Sequence, residues 1–408
     1  MAPLRVLALG NAYPPLHLGG YELIWRGVDR YLVECGHAVR VVTTTWRSES
    51  ATPAMVAQDG GVDIHRELDW YWHAHCWRDL GWRARLALER HNAAVFARHL
   101  AEFLPDVLAW WPVGGLSLSL LEQSRRAGVP SVLFMLDPWL DYGPRHDLWL
   151  RGWERLRPLA GVAARVTGLP TRVQYDGLGR WVFCSESLRA ATLAAHPSLG
   201  ETAVLTPGLD HAWLTLPEEQ ERPPWRGRLL YAGRVVEQKG VHTAIRALVH
   251  LPPDMDLTVL GDGDGAYRAR LEALVTELRL EGRVTFHPAV SPDALAERYR
   301  AADAVLFPVE WEEPFGLVPL EAMAAGRPVI ATGRGGSGDY LRSEENALLF
   351  PAGDASALAA AVERLARDPT LREQLQTGGR RTAQAHSETN FDAAALAQLQ
   401  RAADGANA

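Results

Sequence analysis

Apolar runs bounded by glycine and proline alternate with amphipathic stretches along the whole chain, and this alternation reads as repeated βα units on parallel sheets. Strands are expected at 5–9, 39–43, 106–110, 131–135 and 181–184, then at 229–232, 256–260, 283–286, 304–307, 328–331 and 347–350. Helices fit between them, as at Ser291, where a serine N-cap precedes a proline at the first helical position. The 408 residues suffice for two domains, and Thr206-Pro-Gly-Leu-Asp210, followed by a proline- and charge-rich connection over 217–228, marks the join. An α/β chain with two doubly wound, Rossmann-like domains is therefore expected, residues 1–206 and 207–386, with a last segment, 387–408, that is helical to about residue 403.

Composition narrows the function. A net charge of −7 argues against a nucleic-acid binder. Cys35, Cys76 and Cys184, far apart and odd in number, make neither a disulfide framework nor a four-cysteine zinc site and fit a reducing cytoplasm. The first residues carry no secretory signal, and the apolar stretch 107–121 contains Pro112, Gly114 and Gly115 and falls short of the roughly 18 residues of a membrane span. A cytoplasmic protein is expected, peripheral on a membrane face at most. Of the 42 basic residues, one, Lys239, is lysine, so this position is a candidate for a task that arginine does not perform.

Three segments carry chemistry. In Glu313-Pro-Phe-Gly-Leu-Val-Pro-Leu-Glu321 a strand gives way to a helix that opens near Leu317 and closes at Gly326. Glu313 then stands at the carboxyl end of a parallel strand, where open α/β sheets bind ligands, and the amides of Phe315, Gly316, Leu317 and Val318 offer an anion or hydroxyl site. In Tyr231-Ala-Gly-Arg-Val-Val-Glu-Gln-Lys-Gly240, Arg234 and Lys239 stand at the mouth of another βα turn. A guanidinium fork and a compact ammonium are complementary tools for a diphosphate. Near the start, Gly19 and Gly20 open a helix that runs to about Cys35, and paired glycines there let backbone amides approach an anionic ligand. The pattern is neither G-x-G-x-x-G nor a Walker loop.

Together these segments resemble glycosyltransferase family 4, the retaining nucleotide-sugar transferases of GT-B fold. The resemblance also rests on Leu260-Gly-Asp-Gly263, Val284-Thr-Phe-His-Pro288 and Asn346-Ala-Leu-Leu-Phe-Pro-Ala-Gly-Asp354. It implies two domains facing across a cleft, the first for the acceptor and the second for a nucleoside-diphosphate sugar, with the final helix crossing back to the first. By resemblance, Glu321 binds the ribose hydroxyls, Glu313 with the amides of Phe315, Gly316 and Leu317 holds the donor sugar, and Arg234 and Lys239 bind the diphosphate. Gly19 and Gly20 close over it, and the nucleobase lies by His287. One position departs: after the strand 131–135 the family typically carries His-Asp, and here the pair is Leu136-Asp137. The sugar contact of that histidine is then supplied by another group, such as Asp137 or His146, or is dispensed with; Asp137 as a helix cap or turn residue is the alternative.

Such a transfer needs stabilisation of the charge that builds on the leaving diphosphate, which Arg234, Lys239 and helix N-termini supply without a metal or other cofactor. Asp262-Gly-Asp264 reads as turn chemistry, not a metal pair. His73, His75 and Cys76, with His65 upstream, lack a fourth ligand at a suitable spacing. Gly335-Gly-Ser337-Gly-Asp339 is one residue short of a nucleophile elbow and reads as a further donor-site loop. Arg78, Arg83, Arg85, Arg90 and Arg98 with Trp77 and Trp82 offer a weak amphipathic surface for anionic lipid, a solvated helix being the plainer reading. Nine tryptophans between Trp70 and Trp153 point to an acceptor cleft in the first domain, taking a carbohydrate, lipid-linked or small-molecule acceptor, since the pair Trp110-Trp111 is hard to bury entirely. The competing functions are a non-catalytic nucleotide-sugar binder and a nucleotide-sugar epimerase.

Overall fold

The computed structural model describes residues 3–16, 19–45, 58–73, 76–217 and 224–405. His75 and the stretch 218–223 of the connecting segment lie outside the described residues. The chain divides into two compact units, Met1–Thr206 with Thr389–Ala408, and Pro207–Glu388.

The strands of the first unit are β1 (Arg5–Leu9), β2 (Ala38–Thr44), β3 (Gln58–Asp59), β4 (Val62–Leu68), β5 (Trp72–His73), β6 (Cys76–Trp77), β7 (Val107–Trp110), β8 (Ser131–Met135), β9 (Arg180–Phe183) and β10 (Thr202–Val204). Eight of them form one sheet in the order β10-β9-β8-β7-β1-β2-β4-β3, parallel except for the last pair, while β5 and β6 make a separate antiparallel ribbon. The second unit has β11 (Arg228–Ala232), β12 (Asp256–Leu260), β13 (Val284–His287), β14 (Ala304–Phe307), β15 (Val329–Ala331) and β16 (Leu348–Leu349), all parallel, in the order β13-β12-β11-β14-β15-β16. Both sheets are of the expected doubly wound type.

Every expected strand is present to within one residue at each end. The strands that sequence reading missed are short or polar. Strand β4 reads Val-Asp-Ile-His-Arg-Glu-Leu and is largely half-buried, because it lies next to the sheet edge; there Arg40 pairs with Asp63, 2.6 Å apart. Strand β10 has three residues at the opposite edge. Central strands such as β7, β8 and β14 are buried at every position, as parallel strands covered on both faces must be.

Tryptophan fills the first core. Trp25, Trp110, Trp111, Trp139, Trp149 and Trp181 are all fully buried, which corrects the expectation that Trp110-Trp111 would resist burial. Adjacent residues at a strand end project to opposite faces, and each face here is covered. Trp110 packs against Phe96 of the helix Trp82–Phe103, whereas Trp111 stacks on Phe134, 4.3 Å between ring centres, and on Trp25 of the helix Gly20–Glu34. In the helix Trp82–Phe103 two arginines serve the protein itself: Arg85 donates to the carbonyls of Leu80 and Leu148, and Arg98 pairs with Glu67. Just before the helix, Arg78 pairs with Asp69. That stretch is therefore a poor lipid-binding surface. No helix among the described residues is long and apolar enough to cross a membrane.

In each sheet the first strand sits inside, β1 between β2 and β7 and β11 between β12 and β14. At such a switch point successive crossovers leave towards opposite faces, so a crevice opens between the two loops at the strands' carboxyl ends. In the second unit those loops follow Ala232 and Phe307, and they hold the residues of the two strongest motifs.

Candidate active site

After β11 the chain turns sharply at Gly233, whose φ is 136°, and Val235 bridges to Gly263 beyond β12. A single 3-10 turn, Glu237–Lys239, carries Lys239 over the sheet edge. Gly240 follows at φ 70°, and a Cβ there would meet the Pro308 carbonyl at 1.9 Å. The Lys-Gly pair is thus a close-approach device: without a side chain at Gly240, the lysine loop lies directly on the loop after β14.

This closeness brings the two motifs together. The Lys239 Nζ donates to Glu313 Oε2 at 2.5 Å, and the Trp311 indole Nε1 donates to the same oxygen at 2.7 Å. Lys239 Nζ also lies 5.6 Å from the Trp311 ring centre. The side chains of Lys239 and Glu313 are only 13% and 11% exposed, so their charges meet largely out of water. Burial holds the Lys239 ammonium below its ordinary range, while Glu313 pulls it back up. Arg234, by contrast, is exposed, and its guanidinium makes no hydrogen bond or ion pair among the described residues. A held ammonium beside an open guanidinium is an arrangement suited to an anion with several oxygens.

The Glu313 backbone is fixed from the far side. Gly336 N–H donates to the Glu313 carbonyl at 2.6 Å, and a Cβ on Gly335, at φ 62°, would lie 2.3 Å from that same oxygen. The Gly335–Asp339 turn, expected to be a donor-site loop, therefore buttresses Glu313. Next to it, Phe315 is buried, packing 5.2 Å from the Tyr340 ring, and the Tyr340 hydroxyl donates to the Gly316 carbonyl. The amides of Phe315, Gly316 and Leu317 donate no hydrogen bond within the described residues, so they are open to a ligand ahead of the helix Val318–Ala324.

Glu321 lies on that helix and accepts from the Tyr299 hydroxyl at 2.8 Å. Burial raises its carboxyl above the ordinary range, the tyrosine hydrogen bond opposing the shift and Asp210 adding to it. His287 ends β13, and its carbonyl receives the Gly261 amide at 3.0 Å. Asp262 accepts from the Ala289 amide, and Asp264 caps the helix Gly265–Glu277, so both aspartates serve turns. The residues not foreseen are Trp311, Tyr299 and Tyr340. Trp311 had a local signal, an indole two residues before the acid; Tyr299 and Tyr340 had none, because the fold alone brings them in.

The first unit places its own expected residues at equivalent strand ends. Gly19 is the N-cap of the helix Gly20–Glu34, and its N–H donates to Glu22 at 3.0 Å. Leu136 is buried, and Asp137 accepts from the Tyr142 hydroxyl at 2.6 Å. Asp137 does not cap the following helix, whose N-cap is Pro138. Burial, followed by Glu22, Asp137 and Tyr142, raises Tyr21 well above its ordinary range, so these four groups form one cluster. His146 stacks flat on the half-exposed Trp77, 3.9 Å between ring centres. His65 meets Glu67 and His99, with ligand-type atoms all within 4.8 Å, a set that spacing along the chain did not suggest. The Arg98 guanidinium already pairs with that Glu67 carboxylate.

Comparison with known proteins agrees with this architecture. The family model described as "Glycosyl transferases group 1" matches residues 215–382. The D-inositol 3-phosphate glycosyltransferase of Xylanimonas cellulosilytica is 37% identical over 210 residues, 48% of this chain, which spans about half of that relative, 49%. The protein of the same name from Paenarthrobacter aurescens is 33% identical over 397 residues, 91% of this chain and 89% of the relative. Among solved structures, HepE of Anabaena in complex with UDP superposes with a TM-score of 0.71 at 19% identity, covering 98% of this chain and 100% of that one, a likeness of fold. A relative at this identity over nearly its full length, a family model on the second unit and GT-B neighbours for the whole chain agree, and the chain belongs to the group 1 glycosyl transferases.

Proposed function

We propose that this glycosyltransferase moves a sugar from a nucleoside-diphosphate sugar to an acceptor hydroxyl with retention of anomeric configuration and without a metal. The observation that carries the reading is the pairing of Lys239 with Glu313 beside the open guanidinium of Arg234, at the switch point of the second sheet. As the glycosidic bond breaks, its electron pair goes to the diphosphate, where Arg234 and Lys239 stabilise it. Glu313, fixed by Lys239, Trp311 and Gly336, accepts hydrogen bonds from sugar hydroxyls, and the amides of Phe315, Gly316 and Leu317 donate to the donor. Glu321 accepts from the ribose hydroxyls, with Tyr299 orienting its second oxygen. The base lies near His287. Acceptor attack on the departing face, with the leaving phosphate taking the acceptor proton, gives retention. The UDP bound to HepE supports this class of donor. In this reading Gly19, Gly20 and Asp137 are the first unit's candidate contact residues, the Asp137–Tyr142 pair standing where the family carries an imidazole.

The test is release of nucleoside diphosphate from a panel of nucleotide sugars, with and without candidate acceptors and with a chelator present. Release that depends on acceptor and survives chelation is expected, and the anomeric coupling of the product reports retention. Loss of turnover with chelator overturns the metal-free mechanism. Leu136 favours a second reading, a nucleotide-sugar binder without turnover, and tight binding without release across the panel would establish that one instead.

A further inference from the structure

In the helix Arg157–Thr167 only Ala160 is fully buried, with Ala163, Ala164 and Thr167 half-buried beside it. Its larger apolar side chains face solvent: Leu159 is 57% exposed, Val162 60% and Val166 78%, with Leu156 at the N-cap 41% exposed. At about 100° per residue, Leu159, Val162 and Val166 fall within one narrow sector, so they form a continuous aliphatic stripe. Monomeric proteins rarely leave such a stripe uncovered.

The charges around it have one sign. Between Leu148 and Arg172 the chain carries Arg151, Arg155, Arg157, Arg165 and Arg172 against one acid, Glu154, in a protein of net charge −7. All five arginines are exposed, and none forms an ion pair among the described residues. Arg157 and Arg172 also line a cavity of about 360 Å³, with Glu154 and Tyr175. A protein partner is met more often by aromatic anchors, which the stripe lacks. Exposed aliphatic residues in a segment of uncompensated arginine, with Arg165 beside the stripe, are instead the composition of a helix that lies in a lipid interface.

We propose that the helix Arg157–Thr167 docks this enzyme on an anionic lipid surface, the stripe entering the acyl boundary and the arginines meeting phosphates. The experiment is vesicle flotation of the full chain with phosphatidylcholine alone and with an equal mixture of phosphatidylcholine and phosphatidylglycerol. Flotation is expected with the mixed vesicles, weakening as salt rises. The variant Leu159→Glu/Val162→Glu/Val166→Glu should lower it at least tenfold, and Arg157→Gln/Arg165→Gln should reduce it while leaving the stripe intact. These side chains are exposed, so unchanged thermal melting and unchanged nucleoside diphosphate binding will show that both variants are folded. Absence of flotation, equal flotation of the triple variant, or equal binding to neutral vesicles overturns the proposal. So does a wild-type dimer in light scattering that the triple variant dissolves, which would assign the stripe to a second copy.

Discussion

Replacing Lys239 by alanine acts on the donor site twice. The first effect is loss of a charge-assisted hydrogen bond to a phosphate oxygen, about 1.5–3 kcal/mol, or roughly 10- to 150-fold in affinity. The second follows from the pair itself. Lys239 Nζ is 2.5 Å from Glu313 Oε2, so a phosphate oxygen bound to the same ammonium lies roughly 5 Å from the carboxylate. Without the lysine, two like charges at that separation repel by about 3 kcal/mol at an effective dielectric of about 20. Lys239→Ala should therefore weaken nucleoside diphosphate binding by well over 100-fold, more than the lost hydrogen bond accounts for. Adding Glu313→Gln removes the repulsion and should recover part of the affinity, leaving the double variant still at least tenfold weaker than wild type. It should also recover folding stability, because the single variant leaves a nearly buried carboxylate held, among the described residues, by Trp311 alone. Isothermal titration with UDP, ADP and GDP reads the affinities, and thermal melts read the stability. Unchanged affinity in Lys239→Ala would refute the phosphate assignment, and a double variant no better than the single would refute the electrostatic coupling.

Three further outcomes follow from the geometry. A Cβ on Gly335 would strike Glu313 backbone at a positive φ, so Gly335→Ala should destabilise the second unit by at least about 2 kcal/mol and lower nucleoside diphosphate affinity, as melting and titration will show. Glu321, raised by burial above its ordinary 4.5, adds stability that is complete below that value and is lost as pH rises through the folded value. Glu321→Gln should therefore gain stability relative to wild type as pH rises, and melts that stay parallel between pH 4 and 8 would contradict this. Trp111→Ala should cost about 3–5 kcal/mol in stability, whereas Trp77→Ala, at a half-exposed stack, should leave the melt nearly unchanged and raise the acceptor KM.

The sheet was legible because its strands are buried on both faces, which requires uniformly apolar runs. Strand β4 was not, since a place next to the two-residue edge strand tolerates Asp63, His65 and Glu67, and polar alternation of that kind also suits a loop. Glu313 and Lys239 were each visible as motif residues after a strand, yet their contact was not. It depends on β11 and β14 being neighbours, which is a property of strand order. The tryptophans misled for a related reason. Indole counts cannot say whether both faces of β7 are roofed, and here helices roof both. The aliphatic stripe over 157–167 is not legible in the sequence because its apolar spacing is what a buried helix would show; only its bare surface distinguishes it.

The chain has one side-chain amine, and it lies at the candidate donor site. Burial lowers its affinity for the proton, which raises the neutral, nucleophilic fraction, while the ion pair with Glu313 restrains that fraction in the empty protein. Among side chains, an amine-directed acylating reagent thus reports a single position, whose peptide is separate from the one bearing the α-amino group. Bound nucleotide should shield that locus, and the modified peptide measured by mass spectrometry would read donor occupancy directly, even for a donor whose transfer has no assay.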